Sequence, residues 1–132
     1  MITEDYVSFE TAKLLKEKGF DCLCHSYFRN NPNSLVKEAC GANWNDTPFF
    51  NSRPTLQMVM KWLRQKYNLH IITLPYAPMD RHPYHPGEAD MVYIAQLFRG
   101  IIPIDEIGRS VIKLTPEEAC EAAIKYCLEN LI

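Results

Sequence analysis

The spacing of hydrophobic residues along the chain predicts three helices, two of them in its first half. After Ser8, the stretch FETAKLLKEKG places apolar residues on one helical face, with Ser8 as the N-cap. Gly19 can adopt the left-handed conformation that ends such a helix. Residues 54–68 repeat the helical spacing, with Pro54 in the first turn and Asn68 as the expected stop.

The third helix, residues 115–132, has the most complete start signal. Thr115 is the expected N-cap, Pro116 suits the first helical position, and Glu118 can close a capping box back to Thr115. Its apolar residues form one wide face, on which we expect four to be buried against a sheet: Cys120, Ile124, Cys127 and Leu128. On the opposite side, Glu121 and Lys125 are spaced for an i,i+4 ion pair.

Short apolar or alternating segments predict four strands, at residues 22–28, 69–76, 91–98 and 109–114. The second and third are separated by a proline-rich connection, so we expect them to pair antiparallel. Residues 100–108 are expected to turn.

Residues 29–53 contain turn-forming sequences, NNPNS, GANWND and NSRP, and are expected to be irregular. One short helical turn at 35–40 is compatible with this segment. The resulting order is α-β-(loop)-α-β-β-β-α. It predicts a single α+β domain over residues 1–132, with helices on one face of a small, mainly antiparallel sheet.

Composition narrows the function classes. The chain has 132 residues, 47% of them hydrophobic and 23% charged, which is ordinary for a globular domain. A net charge of -2 gives no overall attraction to nucleic acid or to an anionic membrane. The segment MITEDYVSFE lacks the features of a signal peptide, and five cysteines do not suggest a disulfide framework. We therefore expect a cytoplasmic protein with reduced thiols and no membrane partner.

The segment DRHPYHPGEAD, residues 80–90, is the weak candidate for a metal site. His82 and His85, with Asp80 nearby, could contribute ligands, but the proline after each histidine makes a shared helical turn unfavourable. Structural zinc usually needs four ligands. We expect an exposed loop between two strands, with no native metal.

The sequence has no recognisable catalytic motif. Cys24 and His25 are adjacent in sequence, whereas a catalytic cysteine and histidine are brought together in space. The five glycines are scattered, and neither a phosphate-binding loop nor a nucleophile elbow occurs. We expect no catalytic residues and no cofactor.

Aromatic residues in the irregular stretches are the remaining candidates for function. Trp44, Phe49, Phe50 and Tyr84 either cover an open sheet face or serve as contact anchors for a protein partner or a second subunit. Both interpretations are compatible with the sequence.

Three blocks, SFETAKLLKEKGF, PTLQMVMKWLRQKYNLHI and TPEEACEAAIKYCLENLI, resemble small uncharacterised proteins encoded in phages, prophages and related mobile elements of anaerobic gut bacteria. The resemblance implies a cytosolic, phage-derived origin and no catalytic activity. Residues 29–53 and 76–90 lie outside the resembling blocks.

Three functional hypotheses follow. The leading one is a small non-enzymatic accessory protein that binds an unknown protein partner or itself. The alternative is a nucleic-acid-binding module, because residues 54–131 follow the α-β-β-β-α order of double-stranded-RNA-binding domains. However, the acidic start of the last helix would repel phosphate. The weakest hypothesis is a metal-dependent enzyme that uses residues 80–90.

Overall fold

The structure, a computed structural model, describes residues 2–76, 92–104 and 112–132. Three helices and six strands alternate along the described chain in the order α1 (Phe9–Glu17), β1 (Cys24–Phe28), β2 (Leu35–Ala42), β3 (Asn51–Ser52), α2 (Leu56–Tyr67), β4 (Leu69–Tyr76), β5 (Val92–Arg99), β6 (Ile102–Ile104) and α3 (Pro116–Tyr126). A 3₁₀ turn (Trp44–Asp46) precedes β3, and a π-helical turn (Cys127–Leu131) extends α3. The predicted α+β class is confirmed.

The helix ends follow local chemistry. The side chain of Ser8 caps α1 by accepting from the Thr11 amide, and Gly19 beyond its end has a φ of 84°. The α2 helix stops where predicted, with Asn68 as its C-cap in the left-handed conformation. Its start differs slightly from the expectation, because Thr55 is the N-cap and Pro54 therefore precedes the helix.

The strands form two antiparallel sheets of three strands, with orders β2-β1-β3 and β4-β5-β6. The expectation of an irregular segment at 29–53 is wrong, because β2 and β3 lie within it and pair with the two edges of β1. The helical turn considered at 35–40 is replaced by β2. Pairing with β1 gives the backbone amides and carbonyls of this polar segment their hydrogen-bond partners. The turn-forming residues within the segment do not reveal that pairing.

The second sheet contains the predicted antiparallel pair. β4 and β5 are in register over eight residue pairs, from Leu69 opposite Arg99 to Tyr76 opposite Val92. Residues 102–104, expected to turn, form β6, because Gly100 with a φ of 63° lets the chain reverse directly after β5. Half of the strand predicted at 109–114 lies outside the described residues, and within the described half Lys113 forms an isolated antiparallel bridge to Tyr93.

Most of the core lies between the helices and the second sheet, Cys24 and Phe28 of β1 join it from the first sheet, and α3 is central to it. Cys120, Ile124, Cys127 and Leu128 are all buried, as their helical spacing predicted. Leu97 and Ala95 of β5 belong to the same apolar cluster as these α3 residues. Thr115 caps α3 by accepting from the Glu118 amide at 3.1 Å, so the helix also begins where predicted.

The predicted i,i+4 pair within α3 is not what the structure shows. Glu121 Oε1 instead accepts from the Ser8 amide at 2.6 Å and from Thr11 Oγ1 at 2.9 Å. Lys125 Nζ lies 3.0 Å from Glu10 Oε2. The N-terminus of α1 lies beside α3, and its unpaired amides attract a carboxylate more strongly than a neighbouring lysine does. Both residues therefore join α3 to α1.

Candidate interaction surface

Of the three aromatic candidates near the first sheet, two pack against other aromatic rings and one is exposed. Trp44 and Phe50 stack against Tyr27, with ring centroids 4.3 Å and 4.6 Å from the tyrosine ring, and Trp44 Nε1 donates to the Cys24 carbonyl at 2.7 Å. Phe49 is 68% exposed. Trp44 and Phe50 thus have structural contacts that account for them, and a partner contact at Phe49 stays a prediction.

The other sequence candidates offer no described site. Asp80, His82, Tyr84 and His85 lie outside the described residues. Within the described ranges, no cluster of three histidine, cysteine or acidic side chains has an arrangement that could hold a metal ion.

The buried thiols are poor nucleophiles. Burial raises the pKa of Cys24 to about 11, and it raises the pKa of Cys120 and Cys127 to about 12. At neutral pH these cysteines stay protonated, whereas the reactive form is the thiolate. All three act as small hydrophobic groups, and for Cys120 and Cys127 this agrees with the interpretation of their helical spacing as core packing.

The second sheet presents an apolar face on the side away from its helices. Strand alternation puts Ile71 and Leu97 on the core side and turns their neighbours outward. We call the outward residues of the three strands the outer face: His70, Ile72, Leu74, Ile94, Gln96, Phe98 and Pro103. None of them belongs to the described hydrophobic core.

The outer face is unusual in its composition. An antiparallel sheet with one solvated face normally alternates apolar and polar residues. Here Ile72 and Leu74 are 46% and 38% exposed, and no Lys, Arg, Asp or Glu occurs among the outer-face residues. No described helix covers this face, so it is an uncharged, mainly apolar surface within the described chain, with His70 and Gln96 as its polar members.

Hydrogen-bond direction shows that one edge of β4 is open. The Tyr93 amide donates to the Lys113 carbonyl at 2.8 Å, and the Lys113 amide donates back at 2.9 Å. Both backbone groups of Tyr93 therefore point away from β4. Pro75 lies opposite Tyr93 on β4, so the two residues form a non-hydrogen-bonded pair and the backbone of Pro75 points away from β5.

Alternation along β4 extends this result. The backbone groups of Ile71 and Thr73, two and four residues before Pro75, must also point away from β5. A second hydrogen bond supports this direction, because the Gly100 amide donates to the Asn68 carbonyl at 2.9 Å. The even-numbered residues of β4 therefore direct their backbone groups toward β5, and the odd-numbered residues direct theirs away. No described strand pairs with this second edge of β4.

The other described edges have features that oppose association. β2 carries Lys37 and Glu38, and its register with β1 shifts between Cys24 and Ser26. β3 has two residues, and β6 has three with Pro103 at its centre. Charges, bulges, prolines and short length all discourage edge-to-edge pairing. Over residues 69–74, β4 has none of them.

A cleft of about 380 Å³ adjoins β4 at Thr73. Leu56, Met60 and Cys120 supply apolar lining, and Glu117 stands with other carboxylates at the exposed side. The cleft on the core-facing side of this edge therefore has a mixed lining, apolar toward α2 and α3 and acidic at its exposed side.

Comparison with known proteins does not bear on this surface. The chain matches no protein-family model, no curated protein and no solved structure. None of the helices in the described residues has the length and apolar character needed to cross a membrane.

One feature of the sequence indicates this surface. Residues 69–79, LHIITLPYAPM, contain no acidic residue, lysine or arginine, and β4 is apolar on both faces. A strand with two apolar faces indicates cover on both sides. The direction of its free edge could not be deduced, because it depends on the partner strands.

Proposed function

We propose that the protein is a small non-enzymatic accessory protein that acts by protein–protein interaction or self-association, through the outer face and the open edge of β4. The observation that carries the proposal is the uncharged, mainly apolar outer face, on which Ile72 and Leu74 are exposed and which no described helix covers. Contiguous exposed apolar patches on small proteins are typically interaction sites.

Covering the exposed apolar side chains of the outer face would supply part of the free energy that an interface needs. Full burial of a Leu or Ile side chain stabilises by about 1.5–3 kcal/mol. Ile72 and Leu74 each retain about 40% of their exposure, so covering them would contribute about 1 kcal/mol apiece. Strand pairing along β4 would add main-chain hydrogen bonds and fix the orientation of the partner.

A cytoplasmic location and a phage or mobile-element origin are parts of the same proposal. The origin rests on the resemblance of the three sequence blocks. Support for the location comes from the cysteines, all five of which are free thiols.

The nucleic-acid alternative has less support. The order α2-β4-β5-β6-α3 retains the topology that suggested it. However, the exposed carboxylates of Glu117 and Glu118 lie in the first turn of α3, where phosphate contacts would be needed. The metal-enzyme hypothesis depends on residues outside the described ranges, and no described observation favours it.

The proposal is tested by comparing wild-type protein with Ile72→Lys. A matched control is Leu23→Lys, because Leu23 is 65% exposed and lies outside both sheets. Sedimentation of each purified protein reports self-association, and capture from a host extract, followed by mass spectrometry, reports partners. We expect one complex to be lost with Ile72→Lys and retained with Leu23→Lys. A wild-type chain that forms neither kind of complex, or whose complex tolerates Ile72→Lys, would refute the proposal.

A further inference from the structure

The open edge of β4 is limited to a short segment. Ile71 and Thr73 direct their backbone groups outward and are both partly exposed. Leu69 has the same direction but is fully buried, so its backbone is inaccessible to another chain. At the other end, Pro75 has no amide to donate. A pairing strand therefore meets Ile71 and Thr73 first.

The open edge of β4 can pair with the same edge of an identical chain. Two identical strands that pair antiparallel are related by a two-fold axis, the symmetry of most soluble dimers. Setting Ile71 of one copy opposite Thr73 of the other lets both residues exchange hydrogen bonds with their counterparts. The same register sets Ile72 opposite Ile72 on the outer face, where two apolar side chains meet.

We infer that a second copy of this chain pairs its β4 with β4 in this register, which makes one continuous six-stranded sheet from two copies. This inference rests on the proposed function and names its partner. No Lys, Arg, Asp or Glu lies at positions 69–76, so the two paired strands place no like-charged side chains of their own opposite each other. The pairing also joins the two outer faces into one larger apolar surface.

The packing next to the pairing strands agrees with this occupant. In the inferred register, Ile71 of the second copy lies beside Thr73 on the core-facing side of the sheet. Thr73 lines the cleft, whose lining combines apolar residues (Leu56, Met60 and Cys120) with polar and acidic ones. The second copy's Ile71 would add one apolar side chain beside the apolar part of that lining. The contact is short, so we expect a dimer of about micromolar affinity or weaker.

The test uses Thr73→Pro, which removes one outward amide and leaves the ladder with β5 intact. Its matched control is Lys37→Pro. In the first sheet, the Arg29 amide donates to the Ser34 carbonyl, so Ser34 faces β1. Because the backbone direction alternates along β2, the Lys37 amide points away from β1, toward the free edge of β2. Sedimentation from about 1 to 300 µM should show wild-type and Lys37→Pro chains dimerising. We expect Thr73→Pro to weaken the dimer at least about tenfold.

A disulfide tests the register directly. In a Cys40→Ser background, which removes the exposed thiol, Ile72→Cys should cross-link two copies under mild oxidation. The expected Cα separation of about 4.5 Å for a non-hydrogen-bonded pair permits a disulfide. Leu23→Cys in the same background is the control and should remain monomeric in reducing-agent-free gels.

Three outcomes would overturn the inference. A dimer that tolerates Thr73→Pro indicates face-to-face packing, and a dimer without the Ile72→Cys cross-link indicates another register. A wild-type chain that stays monomeric throughout eliminates the second copy. The proposed function survives that last result only if a host protein binds wild-type chain and not Ile72→Lys. If Thr73→Pro fails to fold by circular dichroism, the Ile72→Cys cross-link decides, since its formation requires the two β4 strands to lie in this register and its absence from a dimer contradicts it.

Discussion

Glu121 holds the N-terminus of α1 against α3, and removing its carboxylate should destabilise the fold. Its Oε1 accepts from the Ser8 amide at 2.6 Å and from Thr11 Oγ1 at 2.9 Å. Thr11 is fully buried, so its hydroxyl has little access to replacement water. Hydrogen bonds to charged groups contribute about 1.5–3 kcal/mol, and the bond to the exposed Ser8 amide belongs at the lower end.

We therefore expect Glu121→Ala to lower the free energy of unfolding by about 2–3 kcal/mol. Glu121→Gln keeps an acceptor oxygen but loses the charge, so about 1 kcal/mol is expected. With a urea slope of about 1–3 kcal/mol/M, the alanine variant should shift the midpoint by about 1 M or more. Glu129→Ala, an exposed substitution on the same helical segment, is the control and should shift it little.

A double-mutant cycle identifies the partner. Thr11→Val removes the hydroxyl with little change in shape. If the two groups interact, its cost in the Glu121→Ala background should fall by about 1 kcal/mol. Additive effects, or a Glu121→Ala midpoint equal to that of Glu129→Ala, would refute the joining of α1 to α3 through this carboxylate.

Local signals accounted for the ends of the helices. Ser8, Asn68 and Thr115 act through their own backbone and side-chain conformations, so their neighbours in sequence suffice to identify them. The short apolar run at 69–74, followed by Pro75, likewise identified β4. Such elements are determined within a few residues of the chain.

The first sheet could not be deduced in the same way. β2 is mostly exposed and carries Lys37, Glu38 and Cys40, so no apolar alternation marks it as a strand. Its identity comes from pairing with β1, and β3 is too short to have a pattern of its own. Strand propensity depends strongly on such non-local context.

The charged face of α3 illustrates the same limit. Spacing along one helix favours a Glu121–Lys125 pair, whereas approach of a second helix offers both residues better partners. The open edge of β4 is a further case, because it is defined by the absence of a neighbouring strand among the described residues. A single strand's sequence does not contain that information.

Three further predictions concern other parts of the chain. Thr115→Ala should cost about 1 kcal/mol, measured by urea denaturation, because the Glu118 amide loses its cap; an unchanged midpoint would contradict it. The sequence predicts that replacing His82 and His85 by alanine changes stability by less than about 0.5 kcal/mol, and stoichiometric metal lost in that variant would contradict it. Cys120 and Cys127 should react with a thiol reagent at pH 8 at least about 100-fold more slowly in the native state than in denaturant. Burial raises the pKa of both to about 12, so at this pH they remain protonated as well as shielded. In the unfolded chain both obstacles disappear, and equal rates in the two states would therefore show that α3 does not pack against β5 as described.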